Sequence, residues 1–127
     1  MINIESEIYI SKKGKREINE DYLIYNSNKF YAVLDGLGGN GNGQIASKLV
    51  AETVKESLLK SKSILEAILE AERVLSLYKK NNPNTEAMAT TIAVAEILDS
   101  GILVSWVGDS RVYQFRDDKI IFKDRKS

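Results

Sequence analysis

The stretch Phe30-Tyr-Ala-Val-Leu-Asp35-Gly36-Leu-Gly38-Gly39-Asn-Gly41-Asn-Gly43 runs from an apolar, strand-like segment through a glycine-rich turn and straight into a helix-like one. Five of the eight positions from 36 to 43 are glycine. An acid therefore stands where a buried strand meets a turn whose backbone is little obstructed by side chains. Asp35 can ligate a hard cation through oxygen, and the glycines let main-chain carbonyls and amides come close to whatever that cation holds. Such a place suits a metal near a phosphate. On its own Asp-Gly is also the commonest sort of tight-turn pair, and the surroundings decide between the two.

Working outward, strands are expected near residues 4 to 10, 22 to 26 and 29 to 35, the last two joined by the polar turn Asn26-Ser27-Asn28. A helical block follows, with Ile45, Leu49, Thr53, Val54 and Leu58 at three-to-four spacing. Ser63-Ile-Leu-Glu66 is a capping-box signature that opens a second helix. Its apolar stripe is Ile64, Ile68, Ala71, Leu75 and Tyr78, and Asn81-Asn82-Pro83-Asn84 ends it. Beyond Pro83 the pattern becomes a meander of strands: Thr90 to Ile97, Ile102 to Val107, Arg111 to Arg116 and Lys119 to Phe122. Strands, two helices and strands again indicate an α+β domain, not alternating parallel βαβ units.

Composition narrows the chemistry. The chain has 127 residues, 43% apolar and 28% charged, as expected of one globular domain. It has no cysteine and no histidine. Thiolate phosphatase chemistry, Ser-His-Asp hydrolysis, phosphohistidine intermediates and histidine-bound zinc or iron are all excluded. A metal must be held by oxygen, which favours magnesium, manganese or calcium. With 18 basic and 18 acidic residues there is no bulk attraction to nucleic acid or to an anionic membrane. The N-terminus lacks a basic region followed by an apolar one, and no apolar run approaches the ~18 residues of a membrane span. The expected location is the cytoplasm.

Gly36-Leu-Gly38-Gly39-Asn-Gly41 also satisfies the G-x-G-x-x-G dinucleotide fingerprint. That fingerprint needs a second strand after its helix, where this chain has a second helix. Asp35 would also aim a bare carboxylate at a pyrophosphate. A Walker loop fails because no Gly-Lys-Ser/Thr closes the run.

Four short motifs follow in order: Arg16-Glu-Ile-Asn19-Glu20-Asp21; Asp35-Gly36-Leu-Gly38-Gly39 with Gly43-Gln-Ile-Ala46-Ser47; Met88-Ala-Thr90-Thr91; and Val107-Gly108-Asp109-Ser110-Arg111-Val-Tyr113. Together they resemble the metal-dependent Ser/Thr protein phosphatases of the 2C type, in the bacterial style. The resemblance implies that Asp35 bridges two metal ions, with the Gly36 carbonyl on one of them, and that Glu20 and Asp21 support the metal waters. Arg16 is implied to grip the substrate phosphate, and Asp109 to ligate a third metal. Arg16 and Asp35 are thus the catalytic candidates, and Glu20, Asp21, Asp35, Gly36 and Asp109 the metal-binding ones. The implied cofactors are two Mn2+ or Mg2+ ions with room for a third. The implied reaction is phosphomonoester hydrolysis on a phosphorylated protein by a metal-bound hydroxide, with Arg16 neutralising the phosphoryl oxygens.

The resemblance covers the N-terminal half of such a domain, so residues 1–127 are expected to form a single, truncated unit: the N-terminal portion of an αββα sandwich, antiparallel sheets with a pair of helices packed on one side. In the family the second half supplies further aspartates, which implies weak or no activity for this chain alone. Leu37, Asn40, Gln44 and Ala89 stand where the family usually or often has methionine, histidine, glutamate and glycine. The alternative function class is a noncatalytic module that works through protein contacts, by self-association or with a complementing C-terminal half.

Overall fold

A computed structural model describes residues 19–108 together with the strands at 113–116 and 119–123. Strands β1 (Asp21–Asn26) and β2 (Phe30–Leu37) form a hairpin. Asn28 takes the left-handed conformation at φ 65°, and the Lys29 N–H donates to the Asn26 carbonyl at 2.9 Å. Asparagine tolerates that conformation better than most residues, which is why the polar turn falls here.

Two helices follow, α1 (Asn42–Leu59) and α2 (Ile64–Asn81), then β3 (Ala89–Thr90), β4 (Ile92–Leu98), β5 (Gly101–Val107), β6 (Tyr113–Arg116) and β7 (Lys119–Lys123). The main sheet has the order β1-β2-β4-β5, with β3 paired to the end of β2, and every described ladder is antiparallel. A doubly wound dinucleotide fold is thereby excluded for the described residues. No helix among them is long and apolar enough to cross a membrane.

Strand β2 alternates strictly. Phe30, Ala32 and Leu34 are buried towards the helices, while Tyr31, Val33 and Asp35 lie on the other face. The core joins this buried row to Ile24, Ile92 and Val94 of the sheet, Val50, Ala51 and Val54 of α1, and Ala67 and Ala71 of α2. Helix α1 packs on β1 and β2, and α2 packs against α1. The capping box forms as expected at its N-terminal bond: the Glu66 N–H donates to Ser63 Oγ at 3.1 Å. The stripe of α2 also holds, with Ala67 added to it.

The structure corrects several sequence expectations. The buried face of α1 is Gly43, Ala46, Ser47, Val50, Ala51, Val54 and Ser57, whereas Ile45 is exposed and Leu49, Thr53 and Leu58 are only half-buried. Small side chains line that face because α1 lies close to the sheet on one side and to α2 on the other. Strand β2 runs past Asp35 to Leu37, so Asp35-Gly36 is not a tight turn. The strand expected from Thr90 to Ile97 is broken at Thr91, where a side-chain hydroxyl replaces a main-chain ladder contact. Strands β6 and β7 pair in a separate two-stranded sheet and do not extend one meander. The strand expected at residues 4 to 10 lies outside the described residues.

At the end of the sheet carrying the β1–β2 turn, a cleft of about 450 Å³ is lined by Phe30, Leu58, Leu59, Glu96 and Leu98 among others. Burial pushes the Glu96 carboxyl above its ordinary value of 4.5. The folded state therefore binds this proton more readily than the unfolded one. Its stabilising effect is present below about pH 4.5 and is lost as pH rises through the raised folded value. Glu96→Gln, neutral throughout, is expected to melt at a higher temperature than the wild type at neutral pH, with the gain vanishing near pH 4. Thermal melts by circular dichroism at the two pH values check this; equal melting temperatures at neutral pH would refute it.

Candidate metal centre

The glycine-rich turn has an unusual backbone. Gly38, Gly39, Asn40 and Gly41 have φ of 146°, 68°, 51° and 80°, four consecutive residues in the region that side chains disfavour. The turn folds over the motif that ends in Thr91: a Cβ on Gly38 would lie 2.8 Å from the Met88 Cα, and Met88 is fully buried. It then delivers the chain into α1, whose first bonds are Asn42 N–H to the Gly39 carbonyl at 2.8 Å and Ile45 N–H to the Gly41 carbonyl at 3.2 Å.

Gly36 and Gly43 meet backbone to backbone. A Cβ on Gly36 would collide with the Gly43 carbonyl and stand 3.0 Å from the Glu20 carbonyl oxygen. One on Gly43 would stand 2.7 Å from both the Gly36 carbonyl carbon and the Glu20 carboxyl carbon. The end of β2, the first turn of α1 and the residue preceding β1 thus share one small space.

Asp21 and Asp35 are direct partners across the β1–β2 ladder. The Asp35 N–H donates to Thr91 Oγ1 at 3.1 Å, and its carbonyl accepts from the Thr91 N–H at 2.9 Å. Both main-chain groups of Asp35 therefore point away from β1, and Asp21/Asp35 is a non-hydrogen-bonded pair. In such pairs the Cα atoms lie about 4.5 Å apart and the side chains are at their closest. Both carboxylates rise from the face opposite the helices. Like charges placed directly opposite are destabilising, so the pair favours a cation between or beside its oxygens. With the neighbouring Gly36 carbonyl, the donors are all hard oxygens, the set that suits Mg2+ or Mn2+.

Entry into β1 is pinned at three points. Asn19 Oδ1 accepts the Asp21 N–H at 3.0 Å. The Glu20 carbonyl accepts the Gly36 N–H at 3.1 Å and the Ser47 hydroxyl at 2.7 Å. The Glu20 side chain turns the other way from Asp21, against Gly43, and its buried Oε2 has no hydrogen-bond partner among the described residues. The structure therefore brings Asp21, Asp35 and Gly36 together, with Glu20 behind them on the helix side. Arg16 and Asp109 lie outside the described residues. Among the described residues no group of three acidic side chains forms a ready metal-binding cluster. The sequence motifs contain Ser47 and Thr91 but give neither a role at the site; their hydroxyl bonds span 27 and 56 residues, which no local pattern reports.

A sequence profile of the family described as protein phosphatase 2C matches residues 11–123. The chain belongs to the protein phosphatase 2C family. It is 34% identical over 124 residues to a protein named as a protein phosphatase in Mycoplasma pneumoniae, covering 82% of this chain and 48% of that one. It is 27% identical over 96 residues to the serine/threonine phosphatase stp of Listeria innocua, covering 68% and 38%.

Among solved structures of the family, it superposes on the Ser-Thr phosphatase MsPP of Mycobacterium smegmatis, crystallised with cacodylate, with a TM-score of 0.83 at 25% identity, covering 94% of this chain and 52% of that one. The catalytic domain of the serine/threonine protein phosphatase PstP, in complex with two manganese ions, superposes with a TM-score of 0.73 at 26% identity, covering 83% and 48%. The expected α+β phosphatase fold is thereby established for this chain, which spans about half the length of the Mycoplasma pneumoniae relative and of these solved structures.

Proposed function

We propose that this chain carries the N-terminal part of the site of a metal-dependent phosphoprotein phosphatase acting on phosphoserine or phosphothreonine. The observation that carries the reading is the Asp21–Asp35 pair, two carboxylates opposed across a ladder beside the Gly36 carbonyl and a glycine-rich turn. Relatives that are serine/threonine phosphatases, one of them with two manganese ions, support it.

In this reading Asp35, Asp21 and the Gly36 carbonyl hold Mn2+ or Mg2+, with Glu20 behind them and Asp109 as the ligand of a further ion. Bound dications supply Lewis acidity to the phosphoryl oxygens and lower the pKa of a coordinated water. Two bonds to Thr91 fix the Asp35 main chain, so its carboxylate starts from a set point on the face opposite the helices. Arg16 is the residue proposed to grip the substrate phosphate through charge-assisted hydrogen bonds. Because the described residues include no three-acid cluster, we propose slow turnover for this chain by itself. The same observation favours the second reading, a noncatalytic phosphatase-like module.

Hydrolysis of a small aryl phosphate by the purified chain, with manganese and with a chelator, tests the proposal. Turnover that needs manganese and disappears in Asp35→Asn is expected. Turnover indifferent to both would overturn the metal mechanism, and no turnover above the Asp35→Asn background would leave the noncatalytic reading.

A further inference from the structure

Ser47 is a buried polar residue of α1 that the phosphatase reading leaves unused. It is fully buried, so no solvent satisfies its hydroxyl. A serine inside a helix commonly bonds back to a carbonyl three or four residues earlier. Ser47 has such a neighbour in the Gln44 carbonyl at 3.2 Å, but its shorter bond, 2.7 Å, crosses to the Glu20 carbonyl in the segment entering β1. The same carbonyl accepts the Gly36 N–H. One oxygen atom thus ties together α1, the residue before Asp21 and the residue after Asp35.

The buried Glu20 Oε2 does not serve as an alternative tether. It lies against Gly43 and has no hydrogen-bond partner among the described residues. Among the described residues, the Ser47 hydroxyl is therefore the polar link from α1 to this segment. Loss of that bond leaves the Glu20–Asp21 peptide without its tether to α1, held only by the Gly36 N–H and the short-range Asn19 side chain, and lets the peptide plane shift away from α1. Asp21, the next residue, moves with it relative to Asp35.

We propose that Ser47 is a positioning residue for the metal site, holding the Glu20–Asp21 segment in register with Asp35–Gly36; this rests on the metal reading given above. Groups that orient metal ligands without touching the metal change affinity by roughly 10–100-fold when removed. Ser57 provides the control, because it is also a buried serine on the same helix, ten residues further along and away from the turn.

The test is a manganese titration of the full chain, following free Mn2+ by electron paramagnetic resonance, for wild type, Ser47→Ala and Ser57→Ala, with folding checked by circular dichroism. The expected result is a dissociation constant raised about tenfold or more in S47A and unchanged in S57A. A serine that only packs would lower the melting temperature without moving the dissociation constant of the folded protein. Equal affinity of folded S47A and wild type overturns the positioning role and leaves the metal reading intact. Failure of the wild type to take up manganese overturns the metal reading, and the positioning role with it. If S47A does not fold, Ser47→Cys decides, since a thiol fills similar space and donates only weakly: weakened binding supports the proposal and unchanged binding overturns it.

Discussion

Gly36→Ala is expected to destabilise the chain by at least about 3 kcal/mol, at the upper end of what overpacking a buried site costs. The added methyl would enter space held by the Gly43 carbonyl and lie 3.0 Å from the Glu20 carbonyl oxygen. Both obstacles are main chain. A flexible side chain could swing away, but here either the end of β2 or the first turn of α1 must move. Movement at that point also breaks the Gly36 N–H bond to Glu20. A loss of this size lowers the melting temperature of a domain this long by on the order of 10 °C. Gly39→Ala serves as the comparison: nothing lies within 4 Å of its would-be Cβ, so only the strain of its φ of 68° is felt. The expected penalty there is about 1 kcal/mol. Equal melting temperatures for the two variants would contradict the close approach of β2 and α1.

Asp35→Asn is expected to change stability in opposite directions with and without metal. In chelator the substitution removes one of two opposed carboxylates and relieves a cross-strand repulsion of roughly 0.2–1 kcal/mol. The variant then melts slightly above wild type. With manganese at about a hundred times its dissociation constant, the wild type gains about 2.7 kcal/mol from binding that the unfolded chain cannot match. The variant, lacking a charged ligand, gains little. An aspartate kept only for packing or for turn formation would show no such inversion.

Much of the fold is legible from local patterns because it rests on local chemistry. Ser63 and Glu66 announce the start of α2, Asn81-Asn82-Pro83 its end, and Asp99-Ser100 the β4–β5 turn. The face of α1 was not legible in the same way. Large apolar residues suggest a stripe through Ile45 and Leu49, but a helix pressed between a sheet and another helix buries small residues, and Ala46, Ser47 and Ala51 carry no hydrophobic signal comparable to leucine. The break at Thr91 depends on Asp35, and the role of the Glu20 carbonyl depends on Ser47, so both are tertiary facts.

For the site, the glycines around Asp35 are readable because few other functions need five in eight positions. What they accomplish was only partly readable. Gly36 and Gly43 allow two backbones to touch, while Gly38 to Gly41 form a left-handed turn over Met88. The opposition of Asp21 to Asp35 follows from the hairpin register set at Asn28, and a one-residue slip would put the two acids on different faces.

The most direct test of a metal site at this pair is a set of four thermal melts: wild type and Asp35→Asn, each in chelator and each in millimolar manganese. The expected result is a crossing, with the variant the more stable in chelator and the wild type clearly the more stable in manganese. Parallel responses of the two proteins to manganese would contradict a metal held by Asp35.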